Sequence, residues 1–383
     1  MPKRETIRTG NPTLLNKIFL RVQQILSCIF STIALFFITT STATNNDDRP
    51  VSNTVKKIGK GQCGTVWALT GTNQVLKAAN ENKDDQLYND YCKHARVEEA
   101  LRQTSSILRR SINLPSLDTW IGSGNEDFWS KHRTEFPYPE SFVQLKSSFT
   151  SGRIFPVQEA IRSALVENFA PKSIKQRKES FLSQPEHKGC LIRIYLGRRQ
   201  QRPPNKTFRL RNFDMAIDEM ELLQLDTVLY AETIAQTLAI IHWRAKLDAN
   251  DVEFVLGNTP AQKIPHTAAE LEATNRFGME NLASELHLKR GSMGIWLLDF
   301  DQCSDFPEDE QGVKQLKQAF YFNDPYYPRP CSTHPKDIVL WNTFKESYLA
   351  TSACFTTSDM PQKFVDAAEA EGKKRSQGGS MFQ

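Results

Sequence analysis

The sequence predicts an α+β protein, and three stretches carry that expectation. Residues 55–78 alternate around glycines as short strands and tight turns do. Ile234, Leu238, Ile241 and Ala245 recur at i, i+4, i+7 and i+11, one apolar face of a buried helix. Residues 295–298 form a short apolar run that delivers Asp299 and Asp301 at a strand end.

Composition narrows the class without fixing it. Hydrophobic content of 39% and charged content of 24% suit a globular chain of 383 residues. A net charge of +4 is too small to argue for nucleic acid, and none is expected as a partner. The seven cysteines are scattered with no C-x-x-C pair and no His pair at zinc-finger spacing, so no zinc is expected. Unpatterned thiols fit a reducing compartment.

Four parts are expected: an extension over residues 1–50, a β-rich part with an insertion over 51–188, a second part over 189–360, and a disordered tail over 361–383. Lys17 and Arg21 precede an apolar run at 25–38, prolonged by Ser and Thr to Ala43. Its core is shorter than the ~20 residues of a spanning helix. Two readings stand: membrane or secretory association through residues 25–43, or an extension with no membrane role. The basic flank followed by Asp47 and Asp48 favours the first, the free cysteines a cytoplasmic domain.

In the first strands Gly59, Gly61 and Gly64 satisfy G-x-G-x-x-G, with Val66 two positions on. A dinucleotide fold needs a helix straight after the last glycine. Here residues 65–69 continue as a strand, and the turn at 71–73 leads to another that carries Lys77. Glycines let backbone N–H groups approach an anion, and a lysine supplies a point charge to phosphate oxygens. A plain glycine-rich hairpin is the alternative. Residues 86–104 read as a helix with Leu87, Tyr91, Ala95, Val97 and Leu101 inward, and Glu98 as the carboxylate that orients Lys77. Solvation of Glu98 is the alternative.

Residues 105–187 are the least legible. Strands at 142–145 and 153–156, a helix at 157–169 and a polar mobile insertion at 172–188 are expected. Residues 190–196 and 207–211 read as a hairpin or as a strand running into an inter-lobe hinge; Arg193, Arg198, Arg199, Arg202, Arg209 and Arg211 fit a solvated face better than an anion or nucleic-acid site, the alternative. After a short helix at 216–223 and the helix through Ala245 come Asp248, Asn250 and Asp251 in a polar turn, then a strand at 252–256. A helix at 268–287, the acidic strand end, and helices at 311–320 and 338–348 complete the reading. Carboxylates such as Asp299 and Asp301 suit magnesium; a loop-capping role is the alternative.

This order of parts resembles the protein-kinase-like fold, with Leu297-Leu298-Asp299-Phe300-Asp301 nearer its aminoglycoside and choline phosphotransferase branch. Residues 242–257 and 321–330 are also similar to a fungal family of unknown function whose members are sometimes labelled zinc finger protein. The resemblance implies a two-lobed fold with a reduced helical second lobe, ATP and Mg²⁺ as cofactors, and phosphoryl transfer. It implies Asp248 as catalytic base, Gly59, Gly61, Gly64, Val66, Lys77 and Glu98 around the nucleotide, and Asp299, Asp301 and Glu253 for the metal. Glu253 stands where kinases keep a metal-binding Asn, and no His-Arg precedes Asp248. An inactive pseudokinase-like module that binds a nucleotide or a protein is therefore the alternative; no protein partner is identified.

Overall fold

Period-two alternation along β1 (Lys56–Lys60), β2 (Gly64–Ala68) and β3 (Gln74–Ala79) folds the glycine segment into an antiparallel meander. The structure, a computed structural model, describes residues 55–105, 112–132, 135–136, 146–199, 208–259 and 292–378. With β5 (Leu117–Ile121) and β6 (Ser148–Gly152), the meander forms a sheet of order β1-β2-β3-β6-β5, antiparallel throughout. Trp67, Leu76 and Ala78 leave one face and pack with Ile121, Phe136 and Trp129 of α2 (Glu126–His132). Lys77 alternates to the opposite face, where Ala79 and Phe149 pack on Leu87 of α1 (Asp84–Arg102).

The second sheet is mixed. It runs β4 (Ile112–Asn113), β10 (Ser292–Leu298), β9 (Glu253–Thr259), β7 (Ile192–Tyr195), β8 (Phe213–Ala216). β9 and β10 are antiparallel and place Glu253 opposite Leu298. β7 and β8 are parallel, which corrects the expected hairpin. The second strand begins at Phe213, beyond the alternating residues 207–211, and a parallel pair needs a crossover that a hairpin turn cannot provide. The arginines here are also largely engaged. Arg193 pairs with Glu253, Arg199 with Glu221 and Asp337, and Arg198 stacks on the Tyr195 ring.

Residues 153–156 contribute only the bridge Phe155–Asn258 rather than a strand. The stretch expected to be a mobile insertion forms three short helices after α3 (Glu159–Phe169): α4 (Lys172–Lys175), α5 (Lys178–Ser183) and α6 (Pro185–Lys188). Ile174, Phe181 and Leu182 reach the large core and hold them down. That core is otherwise built from α7 (Ile217–Leu222), α8 (Thr227–Trp243), α9 (Glu310–Phe322), α10 (Pro335–Ser352) and α11 (Met360–Gly378).

Helix α8 is buried on every side from Thr233 to Trp243 and packs along α10. Tyr348 Oη of α10 accepts from Trp243 Nε1 at 2.9 Å and lies 2.9 Å from His242 Nδ1. α11 corrects the expected disordered tail, since Phe364, Val365 and Ala368 are buried and Tyr321 Oη donates to Ala368 O at 2.7 Å. A polar composition with one apolar stripe is enough for a helix that has a surface to lie on. The helix lies in the stretch expected as tail, after the helices expected at 311–320 and 338–348.

The segment 25–43, the strand expected at 142–145 and the helix expected at 268–287 lie outside the described residues. Among the described residues no helix is long and apolar enough to cross a membrane.

Candidate functional site

The site is assembled by one helix. Leu87, Asp90, His94, Val97 and Leu101 are the buried stripe of α1, at the 3–4 spacing of an amphipathic helix. An acid in that stripe is costly unless it is paired. Asp90, 2% exposed, accepts from Lys77 Nζ at 2.6 Å through Oδ2 and from Phe300 N at 3.0 Å through Oδ1. Lys77 Nζ also lies 3.2 Å from Asp299 Oδ1. Burial alone would lower the Lys77 pKa, but the Asp299 and Asp90 carboxylates outweigh it and hold the ammonium well above its ordinary value.

Neighbouring residues of α1 grip the segment after β10. Gln86 Nε2 donates to Asp301 Oδ2 at 2.6 Å, Asn89 Nδ2 to Asp301 O at 2.9 Å, and Lys93 and Arg96 pair with Asp305 at 2.8 and 2.6 Å. Asp299 has φ 69°, a left-handed backbone that a non-glycine residue adopts at some strain, and Phe300 behind it is fully buried. Strand end, strained aspartate and buried phenylalanine fix the direction of both acids.

Above them lies the β1–β2 turn. Asn80 Nδ2 donates to Gly61 O and Gln62 O at 3.0 Å, and Asn80 N to Cys63 O at 2.8 Å. A Cβ on Gly64 would meet Ala78 O and Lys77 Cγ at 3.0 Å, so the missing side chain lets the turn approach the lysine stem. Cys63, 1% exposed, points at the acids. Its sulfur and one oxygen each of Asp299 and Asp301 lie within 4.8 Å of one another. Burial, opposed by Lys77 and reinforced by Asp90, Asp301 and Asp299, pushes the thiol up to about 12. Burial and then Asp299 raise Asp301, with Lys77 opposing.

The structure therefore brings together Gly59, Gly61, Gly64, Val66, Lys77, Asp299 and Asp301, with Val66 directly opposite Lys77 in the β2–β3 register. Three expectations are corrected. Glu98 does not orient Lys77: it accepts from Leu117 N at 3.3 Å. It lies eight residues beyond Asp90, about 12 Å along the helix axis.

Asp248 is not a free base. It is 5% exposed, and its carboxylate accepts from Ser304 N at 2.9 Å, Asn250 N at 3.1 Å and Gln315 Nε2 at 2.8 Å. That carboxylate ties the two acidic loops together. Glu253 is not among the clustered ligand atoms, because Arg193 holds its carboxylate. Burial, opposed by Arg193 and helped by Asp299, raises it to about 7.

Sequence reasoning missed Asp90, Cys63 and Asp251 as site residues. Asp251 has φ 63°, its N donates to Asn323 Oδ1 at 2.7 Å, and its Oδ2 accepts from Gln302 Nε2. Burial, then Asp299 and Asp301, raise its pKa to about 6. None of the three carried a signal in the sequence: Asp90 is an acid within a buried apolar stripe, a place that pattern reading assigns to apolar residues.

A family model, DUF3669, described as "Zinc finger protein", matches residues 295–359. That span holds the acidic strand end, α9 and α10. No curated protein matches the chain. Within the matched span Cys303 is buried while Cys331 and Cys354 are exposed, and among the described residues the ligand cluster draws its cysteine from outside it.

Proposed function

We propose that this chain is a protein-kinase-like, two-lobed phosphotransferase that binds ATP and Mg²⁺ between its two sheets. The observation that carries the reading is the position of Lys77. It lies beneath a glycine turn, oriented by a helix carboxylate and paired with the acid that ends β10. Lys77 neutralises phosphate oxygens, and backbone N–H groups of the 59–64 turn approach them. Asp299 and Asp301 suit a magnesium ion that takes one or two carboxylates and completes its shell with substrate phosphates and water.

Asp251, rather than Asp248, is the carboxylate available to take a proton from an acceptor hydroxyl. It is half-buried, senses Asp299 and Asp301, and has a pKa of about 6, close to the working range of a general base. A second reading, binding without transfer, is favoured by the locked Asp248 and by the Arg193 hold on Glu253.

The test is thermal unfolding with and without MgATP. A ligand at a hundred times its Kd that binds only the folded state stabilises by about 2.7 kcal/mol. The parent is expected to shift, and Lys77→Met and Asp299→Asn to show none relative to their own baselines. A parent that unfolds cleanly without a shift would remove both nucleotide readings. Among shifting proteins, loss of ATP turnover in Asp251→Asn separates transfer from binding alone.

A further inference from the structure

We propose that Cys63, Asp299 and Asp301 form a site for a borderline-soft divalent cation of the zinc class, which clamps the glycine turn onto the acidic strand end. The proposal shares two carboxylates with the nucleotide reading but needs no nucleotide. Three potential ligand atoms converge from two separate segments, all within 4.8 Å of one another. Zinc–sulfur and zinc–oxygen bonds are about 2.0–2.3 Å long, so a bound ion holds the three atoms together at its own radius.

The environment points to a cation as well. A thiol that is 1% exposed lies with its sulfur against an oxygen of each of two carboxylates. Lys77 offsets part of the charge of the two acids, a divalent ion offsets the rest, and a thiolate ligand selects zinc-like ions over magnesium, which prefers oxygen. Binding replaces the thiol S–H bond by a sulfur–metal bond, and the proton leaves to solvent. The turn is already tied to β3 through Asn80, so a metal–sulfur bond fixes it over Lys77 and closes the space that phosphates would enter.

The experiment is titration of the metal-free full chain with Co²⁺, read in the near ultraviolet, followed by Zn²⁺ and Mg²⁺. A thiolate-to-cobalt charge-transfer band is expected, displaced by stoichiometric Zn²⁺ and unaffected by excess Mg²⁺. Cys63→Ser and Asp301→Asn should lose the band, with circular dichroism reporting that each variant is folded. Absence of a band in the parent overturns the proposal. So does its persistence in Cys63→Ser, which traces it to another thiol such as the exposed Cys331 or Cys354. The MgATP shift measured on the same preparation reports separately on the nucleotide reading.

Discussion

Two acidic turns sit side by side in this molecule and use their carboxylates in opposite ways. In the turn after α8, Asp248 is buried and its oxygens are consumed by Ser304 N, Asn250 N and Gln315 Nε2. In the turn after β10, Asp299 and Asp301 face Lys77, Gln86 and a thiol, and together with burial they raise the pKa of Cys63 and Asp251. The first is an internal clamp made of neutral donors. The second concentrates negative charge that one ammonium only partly offsets. An aspartate in a loop is thus legible as a site residue only when its hydrogen-bond partners are known; its position after a helix or a strand does not decide.

The largest expected effect lies where the two turns meet α1. Asp90→Ala leaves the Lys77 ammonium without its closest partner and Phe300 N without an acceptor. Breaking a buried pair from one side costs about 3–5 kcal/mol, measurable by urea unfolding, and a loss below 1 kcal/mol would show that α1 does not organise the site. Asp248→Ala strands two backbone donors and Gln315, with an expected cost of roughly 2–3 kcal/mol. The same measurement on Asp299→Asn should show a smaller loss, because the substitution relieves repulsion among the acids while weakening one contact to Lys77.

A pH series sharpens the contrast. Glu253 titrates at about 7 in the folded chain against an ordinary 4.5, so folding favours its neutral form. Its contribution is complete below about 4.5 and declines as pH rises to about 7. Glu253→Gln is expected to flatten that decline in a plot of unfolding free energy against pH; an unchanged slope would place the titration elsewhere. The smallest effect belongs to Glu98→Gln. It keeps an acceptor for Leu117 N, so the stability change should stay below about 1 kcal/mol with the ligand-induced shift intact.

Much of the frame was legible. The glycine turn, the strand carrying Lys77, helix α8 and the strand ending at Asp299 announce themselves through local periods of two or 3.6 residues. The phase of α1 was not, because its buried stripe contains Asp90 and His94, which pattern reading assigns to solvent. His94 is satisfied by Pro115 O at 2.8 Å and packs on Phe300, a partner two hundred residues away. Helices α4 to α6 have four to six residues each, too short to display a period. The parallel pairing of β7 with β8 and the docking of α11 depend on contacts between distant segments. The convergence of Cys63 with Asp299 and Asp301 is of the same kind: nothing in the spacing of a thiol and two acids says they meet.

The most direct test of the central claim sets Asp248→Asn beside Asp299→Asn in thermal unfolding, each with and without MgATP. The account predicts a crossed result. Asp248→Asn unfolds well below the parent yet keeps the ligand-induced shift, whereas Asp299→Asn unfolds near the parent and loses it. The reverse pattern, or equal loss of the shift in both, would contradict the division of the two turns into a structural clamp and a ligand-holding site.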